Sequence, residues 1–347
     1  MKQKSEQEII KGWKGDITIP VISISCVTYN HEKYISEAVD SFLMQETEYA
    51  FEVVIGEDCS TDKTLEIVKK YKEQYPRIIK LIEWPENVGA EKNWLTVLEN
   101  CKGKYIANCE GDDYWVDPFK LQKQVSYLEV NPDYGLVHSD CNFLNSNNNK
   151  YIYSANKTYG IVTDYDDDQD KLFYLLIQSS MKIRTPTVMY RNKLLKEINE
   201  ELQRICREFL MGDTPLWLLL SRITKFHYFD EVMAVYRITE NSGSRPIKKI
   251  NSARFALSMV EMRIYFLLKY DKPIPDNIQN LYNNRLLIYK TYNHSYLGMY
   301  EVNSTSFVFR HIIKKMHLKL IRYGVLLFYK VQMVAIFFLQ KTRLYNS

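Results

Sequence analysis

VISISCVTY, at residues 21–29, is rich in β-branched residues and predicts a strand. Residues 32–44 then carry apolar side chains at helical spacing, which completes a unit of strand, loop and helix. The pattern repeats, with strands expected at 51–55, 78–82 and 104–108 and helices at 60–75 and 91–99. Strands that alternate with helices predict an α/β fold, in which helices cover both faces of a mostly parallel mixed sheet.

Local signals set the expected ends of these elements. Ser60 or Thr61 is the expected N-cap of the helix at 60–75, and Pro76 follows its end. The pattern weakens at 134–190, after which further elements are expected: a helix at 214–222, a strand at 232–237, a Gly/Ser loop at 240–245 and two tyrosine-rich helices separated by Pro273 and Pro275. The expected organisation is an N-terminal arm at 1–20, an α/β domain at 21–245, a helical extension at 246–305 and a tail at 306–347.

The composition is that of a globular protein, with 46% apolar and 25% charged residues. Its six cysteines form no Cys-x-x-Cys pair and no zinc-ligand spacing with histidine, so a reducing compartment is expected. The first twenty residues contain no apolar run of the kind found in secretory signal peptides. These features together favour a cytoplasmic location.

The positive charge of the chain is concentrated at its C-terminal end. Eight Lys or Arg and no Asp or Glu follow Glu301, which leaves 38 basic and 42 acidic groups in residues 1–301. The core is therefore not expected to bind nucleic acid. The tail combines a basic cluster with 17 largely apolar residues at 323–339, too few to span a bilayer, so we expect an in-plane helix on an anionic membrane surface. The alternative is a helix packed on the enzyme or on a partner subunit.

The most informative motif is CEGDDYW at 109–115, directly after the short strand at 104–108. Its three carboxylates would repel one another if buried without water, a basic partner or a divalent cation. Paired carboxylates are ligands that Mg²⁺ or Mn²⁺ prefers, and substrate phosphates complete such a site. An acidic surface loop is the alternative. Because ligands bind beyond the carboxyl ends of parallel strands, residues 28–30, 57–60 and 109–115 are expected around one crevice.

Four stretches together resemble glycosyltransferase family 2, the inverting enzymes of GT-A fold that include bacterial surface-polysaccharide enzymes. They are ISISCVTYNHEKYISEAVDSFLMQ at 22–45, EVVIGEDCSTDKT at 52–64, CEGDDYW at 109–115, and MGDTPLWLLLS at 211–221 followed by DEVMAVYR at 230–237. The chain departs from the family pattern at three positions: Glu57 and Glu110 each replace an Asp, and Cys59 replaces a Gly. The resemblance covers about residues 21–245.

The resemblance implies a role for each motif residue. The nucleotide-sugar site would be formed by Thr28, Tyr29, Asn30, Glu57, Asp58, Asn87, Gly89, Asn93, Glu110, Asp112 and Arg237. Asp112 and Asp113 would hold the divalent cation, Mn²⁺ or Mg²⁺. The match at 85–94 is weaker, and a plain turn followed by a helix start is the alternative there. Two residues after Arg237, this chain has Thr239 where many relatives have a histidine. The alternative for Arg237 is a solvated surface charge.

Asp213 matches the family's catalytic base, the carboxylate that takes a proton from the acceptor hydroxyl. The competing explanation is a helix N-cap, because Asp213 is followed by Thr214, Pro215 and an apolar run. Both roles are compatible, since a helix N-terminus favours an ionised carboxylate.

The resemblance thus implies a hexosyltransferase-type enzyme that moves a sugar from a nucleoside-diphosphate donor, expected to be UDP-linked, to a glycan or a lipid-linked glycan acceptor. Such acceptors occur in lipopolysaccharide or capsule assembly, which suits the inner face of the cell membrane. Two alternatives are a sugar nucleotidyltransferase, although VTYNHEKY lacks that class's Gly-rich basic loop, and a nucleotide-sugar-binding scaffold without catalysis.

Overall fold

A computed structural model describes residues 4–239 and 248–292 of the 347-residue chain. The strands are β1 Ile22–Thr28, β2 Phe51–Glu57, β3 Ile79–Glu83, β4 Tyr105–Asn108, β5 Tyr114–Trp115, β6 Tyr134–Asn145, β7 Lys150–Ile152, β8 Met189–Arg191 and β9 Lys225–Ile238. The helices are α1 Glu6–Lys11, α2 Ile35–Leu43, α3 Thr64–Gln74, α4 Ala90–Asn100, α5 Lys120–Val130, α6 Ala155–Thr158, α7 Gln169–Gln178, α8 Asn192–Glu208, α9 Asp213–Leu220, α10 Lys249–Lys269 and α11 Asp276–Tyr292, with a 3₁₀ turn at Thr185–Thr187.

The described strands form one nine-stranded mixed sheet, with the order β3-β2-β1-β4-β8-β6-β9-β5 and β7 paired to β6. The strands β3, β2, β1 and β4 are parallel neighbours, as the alternation of strands and helices predicts. β8 pairs antiparallel with both β4 and β6, whereas β6 and β9 run parallel. This arrangement confirms the α/β expectation and brings the carboxyl ends of β1, β2 and β4 to one edge.

The start of α3 differs from the expectation. The helix begins at Thr64 with Lys63 as its N-cap residue and without a side-chain cap, so the assignment of the cap to Ser60 or Thr61 was wrong. The intervening residues instead bind the loop after β1: Asn30 Oδ1 accepts the Thr61 N–H at 2.8 Å, and Asp62 Oδ2 accepts the Glu32 N–H at 3.0 Å. These contacts hold together two of the loops at the functional edge.

The weakly patterned segment at 134–190 contains more regular structure than its sequence indicates. It holds β6, β7, α6, α7, the 3₁₀ turn and part of β8. β6 is buried along both faces for much of its twelve residues, so its side chains show no alternation of polar and apolar types. Register shifts between β6 and β9, near Ser139 and Asp140, further disrupt the two-residue period.

The described residues divide into two compact units, with the boundary between Phe255 and Ala256. In the first unit, α1 lies within the segment expected to be an N-terminal arm, and Ile9 and Ile10 are buried in the same core as β1 and β2. The second unit contains most of α10 and all of α11, which confirms the two expected helices on either side of Pro273 and Pro275. No helix within 4–239 and 248–292 is long and apolar enough to cross a membrane. The Gly/Ser loop at 240–245 and the tail at 306–347 lie outside the described residues.

His138 on β6 predicts that the protein loses stability in mild acid. The side chain is 1% exposed, and burial, helped by nearby His227, lowers its pKa to about 3. In the unfolded chain the ring gains a proton below about pH 6.5, so the stability that depends on a neutral ring is lost as the pH falls through that value. Between pH 7 and pH 5 this term amounts to about 2 kcal/mol.

Urea unfolding at the two pH values measures this loss. The wild type should lose about 2 kcal/mol more than His138→Gln, which stays neutral throughout. His227→Gln is the matched control, because its ring is only half-buried and should change the pH dependence less. Equal losses for the wild type and His138→Gln would contradict the assignment of this acid sensitivity to His138.

Candidate functional site

The carboxyl ends of β1, β2 and β4 meet, as the parallel-sheet rule predicts. The Asp58 N–H donates to the Thr28 carbonyl at 3.1 Å, and the Gly111 N–H donates to the Val27 carbonyl at 3.0 Å. Gly111 fits tightly there, because an added Cβ would lie 2.7 Å from Thr28 Oγ1 and 3.0 Å from His31 Nδ1. The acidic motif is therefore packed directly against the end of β1.

Glu110, Asp112 and Asp113 form a cluster at this edge, with one ligand atom from each lying within 4.8 Å of the others. Asp113 is 1% exposed, and its Oδ1 accepts the Arg237 N–H at 2.6 Å. Its Oδ2 is buried and has no hydrogen-bond partner. The alternative of an acidic surface loop is wrong, because Asp113 lies inside the protein.

The cluster is electrostatically strained. Burial, the Asp112 charge and the Asp213 charge raise the pKa of Glu110. Burial and the charges of Asp112 and Glu110 raise the pKa of Asp113 well above its usual range, and the Arg237 N–H only partly opposes this. Buried carboxylates that raise one another's pKa values destabilise a protein core. Their position at the end of a strand therefore makes this cluster a candidate functional site.

Arg237 is 4% exposed, so the alternative of a solvated surface charge is wrong. Its guanidinium carbon lies 4.6 Å from the centre of the Tyr34 ring and 5.1 Å from that of the Tyr114 ring, and Nη2 contacts Glu37 Oε2 at 2.5 Å. Two aromatic faces and one carboxylate thus hold the side chain. The backbone of the same residue donates to Asp113, so this packing also positions the acidic cluster.

Asp213 is the first residue of α9, and Gly212 is the N-cap residue, so Asp213 is not the N-cap in the strict sense. Its Oδ1 nevertheless accepts the Thr214 N–H at 2.6 Å, and its Oδ2 accepts the Thr185 hydroxyl at 3.3 Å. The charge of Asp213 contributes to the raised pKa of Glu110, after burial and the charge of Asp112. Gly212 leaves no room for a Cβ, because Trp94 Cζ3 would be 2.9 Å away.

The residues of the first motif lie at the end of β1. Thr28 is 2% exposed with an unpartnered Oγ1, whereas Tyr29 is 42% exposed and Asn30 is exposed. Asn30 and Cys59 have positive φ angles of 55° and 56°. Asn tolerates this conformation, but at Cys59, where the family has Gly, it costs about 1 to 3 kcal/mol.

The second motif holds a neighbouring turn in place. Asp58 accepts the Val88 N–H at 2.7 Å and the Gly89 N–H at 3.0 Å, and Asn87 Nδ2 donates to the Asp58 carbonyl at 3.0 Å. Gly89 has φ 88° and is the N-cap residue of α4, so the turn and helix start expected there are present. The contacts of Asp58, Asn87 and Gly89 with a nucleotide stay a prediction.

Two further residues predicted to bind the nucleotide sugar are buried beneath this turn. Asn93 uses both ends of its amide within the protein, because Nδ2 donates to the Gly56 carbonyl at 2.9 Å and Oδ1 accepts Trp84 Nε1 at 3.1 Å. Glu57 accepts the Ser60 N–H at 2.9 Å through Oε1, while its buried Oε2 has no partner. Of Asn93 and Glu57, only Glu57 therefore has a side-chain oxygen that remains available to bind a ligand.

His31 belongs to the site, and sequence reasoning missed it. Its Nε2 lies 4.0 Å from Asp112 Oδ2, and its Nδ1 is buried without a hydrogen-bond partner. The available signal was its position, directly after Asn30 at the end of a predicted strand. Tyr34, Glu37, Arg184 and Thr185 were also missed, and no local signal marks them.

The 3₁₀ turn connects the acidic motif to Asp213. Trp115 Nε1 donates to the Pro186 carbonyl at 2.8 Å, and Gln124 Nε2 donates to the Thr187 carbonyl at 2.8 Å. From the same turn the Thr185 hydroxyl bonds Asp213. Trp115 and Thr187 are buried. The 3₁₀ turn therefore joins the acidic motif at 109–115 to Asp213 through the interior of the protein.

The acidic cluster fits a divalent cation. Hard carboxylate oxygens are the ligands of Mg²⁺ and Mn²⁺, and a cation would satisfy the unpartnered Asp113 Oδ2 while relieving the repulsion among the three carboxylates. Asp112 and Asp113 are the expected ligands, and Glu110 lies close enough to contribute directly or through water.

A mixed sheet with an acidic cluster at the ends of its parallel strands defines the GT-A class of fold. The model of glycosyl transferase family 2 matches residues 23–200, just over half of the chain, and the chain belongs to this family.

Individual proteins are similar to this chain over part or most of its length. An uncharacterized protein of Mycobacterium bovis is 46% identical over 112 residues, which cover 32% of this chain and 32% of that relative's length. An uncharacterized glycosyltransferase of Haemophilus influenzae is 25% identical over 311 residues, covering 88% of each chain. The crystal structure of Staphylococcus aureus TarS residues 1–349 in complex with UDP-GlcNAc has a TM-score of 0.53 and 17% identity, over 82% of this chain and 77% of that one.

Proposed function

We propose that the protein is an inverting glycosyltransferase that moves a sugar from a nucleoside-diphosphate donor to a hydroxyl group of a glycan or lipid-linked glycan. One observation carries the proposal. The 3₁₀ turn bonds Asp213 through the Thr185 hydroxyl and bonds Trp115 of the acidic motif through the Pro186 carbonyl, which joins Asp213 to the segment of Glu110, Asp112 and Asp113. A carboxylate base beside a cation-binding cluster is what direct displacement at a sugar phosphate requires.

The proposed reaction is a single in-line displacement. Asp213 accepts the proton of the acceptor hydroxyl as that oxygen bonds the anomeric carbon, and the bond from this carbon to the diphosphate breaks with both electrons leaving on the phosphate oxygen. Thr185 keeps the Asp213 carboxylate oriented through its hydroxyl. A divalent cation held by Asp112 and Asp113 would neutralise the charge that develops on the departing diphosphate. The configuration at the anomeric carbon is inverted because the acceptor oxygen attacks the face opposite the departing diphosphate.

Three features favour a nucleotide at the edge of β1 and β2. Thr28 Oγ1, His31 Nδ1 and Glu57 Oε2 are buried polar atoms without a partner in the described chain, and a ligand with ribose and base groups would satisfy them. Tyr29 is exposed beside them and offers an aromatic face to a base. The complex of TarS with UDP-GlcNAc supports a UDP-linked donor for this fold.

A thermal-shift screen of nucleoside diphosphates and their sugars, with and without Mn²⁺, tests the donor site. A ligand that binds the folded state raises the melting temperature, and we expect uridine compounds to do so only when the cation is present. If no nucleotide raises the melting temperature with Mn²⁺, the proposal is wrong.

Turnover assays separate the alternatives. A nucleotidyltransferase would release pyrophosphate from a nucleoside triphosphate and a sugar 1-phosphate, whereas the proposed enzyme releases a nucleoside diphosphate from its donor. A scaffold would bind the donor but turn over with no acceptor, including water. The carboxylates at 112, 113 and 213 are all present in the sequence, and those at 112 and 113 belong to one cluster, which supports the enzyme.

The proposed place of action is the cytoplasmic face of the cell membrane. The argument comes from the sequence of the tail, where Arg310, Lys314, Lys315, Lys319 and Arg322 precede an apolar run. Each basic residue near an anionic leaflet contributes about 1 kcal/mol of attraction. A lipid-linked acceptor would then be within reach of the site.

Deleting residues 306–347 should release the protein from anionic vesicles and leave nucleotide binding intact, because the basic and apolar signals coincide in that segment. Vesicle flotation at moderate salt measures the first effect, and the thermal shift with nucleoside diphosphate measures the second. As a control, the full-length chain with its five clustered basic residues changed to Gln should bind vesicles weakly. Equal flotation of the truncated and full-length chains would remove the proposed role of the tail.

A further inference from the structure

Arg184 carries a positive charge that no carboxylate of the described residues neutralises through an ion pair. The residue precedes the 3₁₀ turn and is half-buried, with its guanidinium carbon 5.0 Å from the centre of the Phe143 ring and 5.6 Å from that of Tyr236. Its Nε is buried without a hydrogen-bond partner, and none of the ion pairs within 4–239 and 248–292 includes Arg184. Two aromatic faces therefore hold the guanidinium in place while its donors stay unused.

Other arginines of the same unit are satisfied. Arg191 bonds the Tyr134, Leu128 and Asn131 carbonyls and the Tyr105 hydroxyl, and Arg237 pairs with Glu37. A guanidinium presents five N–H donors, and partly removing them from water without acceptors is unfavourable. An aromatic-lined guanidinium without a carboxylate is suited to bind a carboxylate or phosphate group from outside.

Arg184 belongs to the segment that contacts the proposed base. The next residue, Thr185, bonds Asp213 Oδ2, and Pro186 accepts the Trp115 indole N–H. Tyr236, on which the guanidinium packs, directly precedes Arg237, whose backbone bonds Asp113. Arg184 is thus joined by short connections to the proposed base, through Thr185, and to the acidic motif, through Pro186 and Tyr236.

We propose that Arg184 recognises an acidic group, a phosphate or a carboxylate, on the acceptor. The acceptor is then an anionic glycan or polyol, and Arg184 is a specificity-determining residue. This inference rests on the proposed glycosyltransferase function, because it identifies Asp213 as marking the acceptor side. A neutral acceptor would leave the guanidinium unpaired and would bind more weakly.

The experiment compares charged and neutral acceptor fragments on the full-length protein. The site is first saturated with Mg²⁺ and the nucleoside diphosphate selected by the donor screen, so that the donor's phosphate positions are filled. Ligand-observed NMR titrations then measure glycerol phosphate against glycerol, and glucuronate against glucose. For the wild type, at least one acidic fragment should bind tenfold or more tightly than its neutral counterpart.

Arg184→Gln should abolish this preference, and Arg184→Lys should restore part of it, since lysine keeps the charge but not the planar fork. Lys182→Gln is the matched control, because it removes an exposed charge two residues away and should leave the preference unchanged. Melting temperatures verify that each variant is folded. The proposal is overturned if the wild type shows no preference or if Arg184→Gln retains it.

Nucleoside diphosphate affinity, measured in parallel, separates the remaining outcomes. If Arg184→Gln weakens binding of the nucleotide as much as binding of the acidic fragment, the guanidinium contacts the donor diphosphate. The assignment of Arg184 to the acceptor is then wrong. If the wild type binds no nucleoside diphosphate with the cation, the proposed function itself fails. Intact nucleotide binding without any acidic preference would overturn only the role of Arg184.

Discussion

Asp213→Asn should lower the rate of donor turnover about 10² to 10⁴-fold while leaving donor affinity nearly unchanged, because a general base acts on the acceptor proton and not on the nucleotide. The fold should tolerate the change. Asn keeps an Oδ1 that can accept the Thr214 N–H, and its amide can donate to the Thr185 hydroxyl, which now accepts. The melting temperature should therefore stay close to that of the wild type.

The measurement uses release of nucleoside diphosphate with water as acceptor, so it does not depend on knowing the natural acceptor. Asp168→Asn is the matched control: Asp168 is the N-cap of α7 and accepts the N–H groups of Asp170 and Lys171. If Asp213 only supports a helix start, the two variants should behave alike. Near-normal turnover in Asp213→Asn would exclude it as the base and direct attention to Glu110.

The parallel half of the fold could be predicted because its signals are local. β1 and β2 are rich in β-branched and other apolar residues and are buried on both faces, and the helices after them show helical spacing. Ligands bind beyond the carboxyl ends of such strands. This rule predicts that residues 28–30, 57–60 and 109–115 surround one crevice. The acidic cluster followed from the same rule applied to CEGDDYW.

The other half of the site depends on contacts that join distant parts of the chain. Tyr34, Tyr114 and Glu37 surround Arg237 only because β9 returns beside β5, and no spacing in the sequence indicates this. The link from Thr185 to Asp213 likewise joins two segments without periodicity. Arg237 was therefore expected as a contact of the nucleotide, although the structure shows that its backbone positions Asp113.

The departures from the family pattern are explained in part by local packing. Glu57 replaces an Asp, and its longer side chain reaches the Ser60 N–H while leaving one buried oxygen free. Cys59 adopts the left-handed conformation that glycine adopts at little cost, so the chain is locally strained at the motif. Strain retained beside a predicted ligand site agrees with a functional role for this loop.

Asp113→Asn should abolish most cation-dependent binding of the nucleoside diphosphate. Asn keeps an Oδ1 for the Arg237 N–H and changes the unpartnered Oδ2 into an amide nitrogen, so the substitution acts on the atom that faces the cluster. Even residues that merely support metal ligands cost 10 to 100-fold in metal affinity when changed, so the loss here should be about 10²-fold or more. Without the cation, the melting temperature of the variant should equal or exceed that of the wild type. The substitution removes one carboxylate from a cluster in which each charge raises the pKa of its neighbours.

Calorimetry with Mn²⁺ and with EDTA, together with melting curves, measures both effects. Asp140→Asn is the matched control, since Asp140 is 1% exposed, has an unpartnered Oδ2 and lies outside the three-carboxylate cluster. It should retain cation-dependent binding, which separates the loss of a buried charge from the loss of a ligand. If the wild type binds the nucleoside diphosphate equally well in EDTA, the phosphates are held by the protein alone, and the cation has no part in donor binding. If instead the cation matters but Asp113→Asn behaves like Asp140→Asn, Glu110 and Asp112 hold it without Asp113, and Asp113 serves only to fix the end of β9 through Arg237.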